Sequence, residues 1–458
     1  MSTNGKVPDG LLYDTLKSLS GYGRYAEIFI ESSVKQAAVF ENRSLDMVEN
    51  SIDGGISMRI IDGEKTFFAY TNNFTEKSIK ETAAELTSAL KAGHDKDISI
   101  STKESVKLYK TAPKTDVTEK IKLVTAMDKA ARVDDKIVQS ISVYAENLRE
   151  TRILNSEGAD ISQSLSYVTG YTAAVASDGK DMQQGYIPLG GVYGKEELAG
   201  LDFMSVSEES ARLALKNLSA KHAPAGMMAV VIGSSAGGTM VHEAVGHGLE
   251  ADLACNGMSV YADKLGQKVA SDIINVSDNG TLEHMRGTYL YDDEGVKAGA
   301  NMLIEKGVLK NYMTDRLYSY KEGINLTGNG RRESYRHRPI VRMTNTMIMP
   351  GSDKPEDIIK SVDKGLYVSR MGGGQVNTVT GDFVFEVTEG YTIEKGKLCD
   401  PVKNATLIGN GPKVMQEIDM VGTDIGFGIG TCGKEGQGVP VSDAQPTLRI
   451  PQITVGGR

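Results

Sequence analysis

The sequence predicts an α+β protein in two parts. An N-terminal α+β domain with an antiparallel sheet spans residues 1–220, and a C-terminal β-rich domain carrying one distorted helix spans 221–458. Three observations predict this. Apolar and polar residues alternate at 25–33 and through 137–193, as half-buried strands do. Amphipathic helical stretches cluster in the first half, at 9–20, 75–90, 118–133 and 205–218. Glycine is abundant, 51 residues against 12 prolines, which favours tight turns and close backbone contacts over disorder.

In chain order, the helix at 9–20 precedes strand 25–33. Runs 37–49 and 55–71 continue in strand style, and Asp62-Gly63-Glu64-Lys65 supplies a hairpin turn. Thr75 opens the next helix, Glu76 suits its N-terminal dipole, and Gly93 stops it. Residues 94–117 are polar and read as mostly irregular. Helix 118–133 leads into the strand meander, whose turns fall at 156–158 and 177–179. Helix 205–218 closes the first half, and residues 222–226 read as a linker.

In the second half, 227–232 is a buried strand. Gly233-Ser-Ser-Ala-Gly-Gly238 reads as a tight turn, because it lacks the lysine of a phosphate loop and the spacing of a dinucleotide fingerprint. Short strands and turns dominate after 257, with helices near 355–364 and 412–420 and a further helical turn at 315–322. No fixed-period repeat is evident.

A net charge of −9 argues against nucleic acid as a partner. The basic cluster Arg331, Arg332, Arg336, His337, Arg338 and Arg342 is small beside that acidity. Cys255, Cys399 and Cys432 are the only cysteines, with no CxxC pair, which fits a reducing compartment. Residues 1–10 lack the apolar core of a signal peptide, and no apolar run approaches a membrane span. The expected setting is cytoplasmic, with no membrane.

Residues 242–247 read His-Glu-Ala-Val-Gly-His, using two of only six histidines. Two imidazoles close in sequence can hold zinc, and a carboxylate beside the first can take the proton of an attacking water. The common zinc-protease motif spaces its histidines by four, whereas these are five apart. Residues five apart on a regular α-helix sit about 140° apart around its axis, too far to share a metal. A π-type turn, a kink or an unwound end near Gly246 is therefore expected. Zinc in a hydrolase usually takes three protein ligands. Glu250, Asp252 and Cys255 just downstream, and Cys432 in a glycine-rich stretch 185 residues past His247, are all open as the third.

These motifs carry a resemblance. His-Glu-Ala-Val-Gly-His-Gly-Leu-Glu-Ala-Asp at 242–252, Gly-Asn-Gly-Arg-Arg-Glu-Ser-Tyr at 328–335 and Cys-Gly-Lys-Glu-Gly-Gln at 432–437 resemble the TldD/PmbA family of metalloproteases. Arg-Met-Thr-Asn-Thr at 342–346, Gly-Gly-Gly-Gln-Val at 372–376 and the run Asp62-Gly-Glu-Lys-Thr-Phe-Phe-Ala-Tyr extend the similarity nearly end to end. The resemblance implies one zinc ion per chain on His242, His247 and Cys432, with Glu243 as general base. Cys255 falls outside that ligand pattern.

It also implies a dimer, either a homodimer or a pair with a metal-less paralogue, enclosing a chamber that admits unfolded or short peptides. Backbone pairing to an extended peptide would suit such a chamber. The segment 371–375 offers a possible edge for it, although a plain turn is the commoner reading. Tyr335, His337 and the nearby arginines are candidates for a second electrophile, with a structural role the commoner one. Two other functions compete: a non-enzymatic modulator, in line with the family's older label as DNA gyrase modulators, and a zinc hydrolase of a small amide.

Overall fold

The computed structural model describes residues 7–457 except 89, 92, 94–97 and 110. Part of the signal-peptide reading (residues 1–6) and part of the irregular stretch therefore lie outside the described residues. The fold is α+β. The first half contributes α1 (Asp9–Ser20), β1 (Tyr25–Glu41), β2 (Ser44–Asp62), β3 (Lys65–Thr71), α2 (Glu76–Thr87) and β4 (Thr102–Lys107). It continues with α3 (Val117–Ala131), β5 (Ile137–Asn155), β6 (Ala159–Ser177), β7 (Met182–Val192) and α4 (Phe203–Ser219). One sheet runs β3-β2-β1-β5-β6-β4, with β7 also on β6. Every pairing in it is antiparallel except β4 on β6.

The period-2 pattern decides the layers. Even-numbered residues of β1 (Ala26, Ile28, Ile30) meet Leu12, Leu16 and Leu19 of α1. Further along the same face, Ala38 meets Val124 and Met127 of α3 and Phe203 of α4. Burying each leucine contributes roughly 2 kcal/mol, so Leu16→Ala should destabilise the chain by about 3 kcal/mol in urea unfolding.

The odd-numbered face differs from expectation. Polar residues on a half-buried strand normally meet water, yet Glu27 and Glu31 are buried. Glu27 pairs with Arg59 of β2 at 3.2 Å and with Arg332 of the second half, and Glu31 pairs with Arg149 of β5 at 3.1 Å. Arg149 also reaches Asp293 at 3.0 Å. Paired charges of this kind fix how the two halves meet more than they add stability.

Two local readings also differ. The run 37–49 is not one strand, because the hairpin turns at Asn42 and Arg43, both at positive φ. Neither is glycine, so the turn signal there was only the weaker one of an asparagine, which tolerates positive φ. The stretch read as irregular contains β4, whose single apolar residue, Val106, leaves no periodicity. β4 is an exposed edge strand, where burial imposes no pattern.

In the second half, strands Gly226–Ile232, Lys364–Val376, Asp382–Glu394, Ala405–Asn410 and Leu448–Gly456 close into a barrel. A six-stranded sheet stands beside it. That sheet ends in Asn345–Ile348, Gln437–Gln445 and, at its edge, Gly426–Lys434. Short helices form at Arg316–Glu322, Pro355–Lys360 and Gly411–Glu417. Residues 239–254, the helical segment, join a core with Leu366 and Phe385 of the barrel and Val439 and Val441 of the sheet.

Candidate metal centre

The glycine turn after Gly226–Ile232 aims the helical segment. Gly237 takes φ +69°, and a Cβ on Gly238 would fall 2.2 Å from the backbone nitrogen of Ala444. The Gly238 N–H donates to Asp443 Oδ1 at 2.9 Å, so the chain's own carboxylate occupies the place a phosphate would take. The turn is thus a packing device, as read from sequence.

The helical segment then departs from α geometry where the histidine spacing demands it. His242–Gly246 form a π-helical turn, and the His247 N–H donates to the His242 carbonyl, five residues back. Tyr261 Oη donates to the Ala244 carbonyl at 2.9 Å. Gly246 has ordinary helical φ and ψ, so backbone freedom is not its use. It makes room: a Cβ there would lie 2.1 Å from the Met343 sulfur.

The π turn brings both imidazoles to one side, with ring centroids 5.0 Å apart and planes at 88°. Cys432, from the edge strand Gly426–Lys434, completes the group. Its Sγ lies 3.4 Å from His247 Nε2, and the ligand atoms of the three residues lie within 4.8 Å of one another. Two imidazoles and a thiol suit zinc. His242 Nδ1 is buried with no hydrogen-bond partner among the described residues, and such an atom calls for a ligand.

Charge at the centre supports that fit. Burial would raise the Cys432 thiol, but hydrogen bonds and charge from His242 and His247 pull it down to about 5. Burial would lower both histidines; for His242 the Cys432 thiol reverses this, and for His247 the Glu250 carboxylate does so with Cys432's help. A cation replacing those protons would meet a thiolate and two neutral imidazoles. Glu243 is half-buried beside them. Burial raises its carboxyl above the ordinary range, partly offset by the two histidines.

The other third-ligand candidates have different places. Glu250 accepts from His247 Nδ1 at 3.0 Å and is fully buried. Lys434 donates to Glu250 at 3.0 Å, to Asp252 at 2.7 Å and to the Val341 carbonyl at 2.9 Å. Burial would raise Glu250, yet Lys434 and His247 hold it at about 2. Cys255 stands apart from the group, its thiol pushed up to about 11 by burial. Lys434, which holds the carboxylate that orients His247, and Asp443, which anchors the glycine turn before the helical segment, carry no mark of those places in their spacing.

Lys434→Met should leave Glu250 buried without its cation. The expected cost is about 3 kcal/mol in urea unfolding, with zinc affinity down roughly tenfold or more in a chelator competition.

Tyr335, His337 and the arginines do not line the cleft that holds His242, Glu243 and Cys432. Tyr335 packs on Phe29 and Ile153, His337 hydrogen-bonds Ser334 at 3.1 Å, and Arg342 donates to the Cys432 and Gln437 carbonyls. None of them stands at the centre as a second electrophile. The cleft itself encloses about 640 Å³ between β7, residues 370–374 and strand Gly426–Lys434. Residues 371–375 belong to strand Lys364–Val376 and not to a turn; pairing to Asp382–Glu394 skips from Met371 to Gly374, so the glycines form a bulge. Among the described residues, β7 pairs only with β6, and Gly426–Lys434 only with Gln437–Gln445.

The chain matches three family models, the PmbA/TldA metallopeptidase domain 1 over residues 26–90, the central domain over 110–218 and the C-terminal domain over 225–457. It is 38% identical to a Haemophilus influenzae protein named metalloprotease TldD homolog, across 94% of this chain and 93% of that one. It is 28% identical to a Saccharolobus solfataricus protein named zinc metalloprotease TldD homolog, across 94% of this chain and 96% of that one. Among solved structures, a Thermotoga maritima protein described as a candidate modulator of a DNA gyrase superposes with a TM-score of 0.79 at 20% identity, covering 98% of this chain and 100% of that one. TldE from Thermococcus kodakarensis superposes at 0.73 and 18% identity, covering 98% of this chain and 100% of that one.

Proposed function

Because the chain belongs to the TldD/PmbA family of metallopeptidases, we propose that it is a zinc-dependent peptidase acting on unfolded or short peptides. The observation that carries the reading is the convergence of His242, His247 and Cys432 beside Glu243, in a cleft flanked by two sheet-edge strands. One zinc ion per chain would be held by His242, His247 and Cys432. When bound, it would polarise a water and the scissile carbonyl.

The chain's own residues do the rest. Glu243 takes the proton of the attacking water and returns it to the leaving amine; its burial-raised carboxyl suits both directions. Glu250 orients His247 through Nδ1, keeping Nε2 toward the centre. The edge of β7 and the part of the Gly426–Lys434 edge before Gly430, whose carbonyl accepts from Arg286, offer main-chain donors and acceptors to an extended peptide, which would bind with little regard to its side chains.

The same reading includes a cytoplasmic dimer, with itself or with a metal-less paralogue, that encloses the cleft. A folded domain could not enter, while an extended chain could. Digestion of one protein in folded form and in a destabilised variant of nearly equal sequence tests this. The destabilised form should be cut readily and the folded form hardly at all, and light scattering should report a dimer. A monomer that cuts both forms equally fast would overturn the enclosed site and leave the zinc chemistry standing.

A further inference from the structure

A second pocket, of about 360 Å³, lies between the N-terminal sheet and the hairpin that carries Cys432, and shares Thr431 with the metal cleft. Six cationic side chains line it against three carboxylates. The carboxylates are already engaged: Glu31 with Arg149, Asp53 with Arg336, and Glu333 with the Gly438 N–H. Three cations are not matched. Arg286 donates to the Gly430 carbonyl at 3.1 Å and to the Thr169 hydroxyl; Arg331 donates to the Met343 and Pro440 carbonyls. Lys35 is exposed at the rim. Among the described residues, none of these three has a carboxylate partner.

The opposite wall carries acceptors. Residues 31, 33 and 35 of β1 share one sheet face with 147 and 149 of β5, since Lys35 pairs with Asn147 and Ser33 with Arg149. Glu31 is 5% exposed, and among the described residues its Oε2 has no hydrogen-bond partner; nor has Asn147 Oδ1. A simple oxyanion would satisfy the arginines but set more acceptors against these two. A carboxylate with an N–H beside it would satisfy both walls.

We propose that this pocket binds an α-amino carboxylate, the C-terminal residue of a peptide or a free amino acid. Arg286 and Arg331 receive its carboxylate, and Glu31 and Asn147 accept from its N–H. The site uses neither the zinc ligands nor Glu243, so it stands or falls separately from the peptidase reading.

The test is calorimetric titration of the full chain at fixed ionic strength, stripped of metal by chelation so that carboxylates cannot bind there. The probes are diglycine, diglycinamide, glycine and inorganic phosphate. Diglycine should saturate at one per chain, and diglycinamide should bind about tenfold more weakly or less, having lost the charge-assisted bonds. Arg286→Gln should weaken diglycine by about tenfold. Lys35→Gln, on the exposed rim where folding is not at stake, should weaken it severalfold and decides alone if Arg286→Gln does not fold. Glycine binding as well as diglycine would identify the free amino acid as the ligand; diglycine binding alone would identify the peptide end. No saturable binding, phosphate binding as tightly as diglycine, or affinity untouched by the substitutions would overturn the proposal.

Discussion

Cys432→Ser is expected to lower zinc affinity by more than the ten- to hundredfold that losing a ligand's hydrogen-bond partner typically costs, and peptidase activity should fall with it. The thiol lies within 4.8 Å of both histidine ligand atoms, and those imidazoles hold it at about 5, so it is a thiolate at neutral pH. A serine hydroxyl stays protonated there and is a poor ligand. Cys255→Ser is the matched control, because that thiol is raised to about 11 and lies outside the group. Metal content by atomic absorption after dialysis should separate the two variants. Full occupancy in Cys432→Ser would remove Cys432 as a ligand.

Acidification acts on the same centre. As pH falls, protons compete for the imidazoles, whose affinity for protons is raised, and then for the thiolate near pH 5. Zinc should therefore be released on lowering pH and rebound on raising it. Occupancy that stays constant down to pH 4 would contradict this donor set.

What the sequence made legible follows from what burial imposes on it. The four helices of the first half and the meander β5 to β7 show clear periods, because each has one face against a core and another toward water. β4 has neither face buried and left no trace. The charged face of β1 looked solvated, because nothing local distinguishes Glu27 facing Arg332, 305 residues away, from Glu27 facing water.

At the site, the five-residue histidine spacing was enough to require a departure from α geometry, by a π turn, a kink or an unwound end, and the fold takes the π turn. Cys432 was different. Spacing left it level with Glu250, Asp252 and Cys255, and only family resemblance singled it out. Lys434 and Asp443 were not legible at all, since a residue that holds a neighbouring carboxylate or turn in place needs only to be near it in space. Gly246 was read for the right place and the wrong reason: the close approach of Met343 requires it, and that contact spans almost a hundred residues.

Glu243→Gln is expected to keep zinc and lose turnover by on the order of 10²- to 10⁴-fold, the range for removing a general base. Glutamine is nearly isosteric with glutamate, and Glu243 lies outside the ligand group, so the centre should assemble unchanged. What disappears is the ability to accept a proton. Burial raises the Glu243 carboxyl, and the neighbouring histidines only partly oppose it, so it is a stronger base than a surface glutamate. The acidic limb of the kcat/KM profile should accordingly lie above the ordinary glutamate range in the native protein. That limb would be absent from the residual activity of the variant. A shift in KM without loss of kcat would make Glu243 a binding residue, and turnover of an unfolded peptide comparable to the native chain would sink its role as base. Because zinc content and turnover are read on the same sample, failure of the metal site and failure of the base are told apart directly.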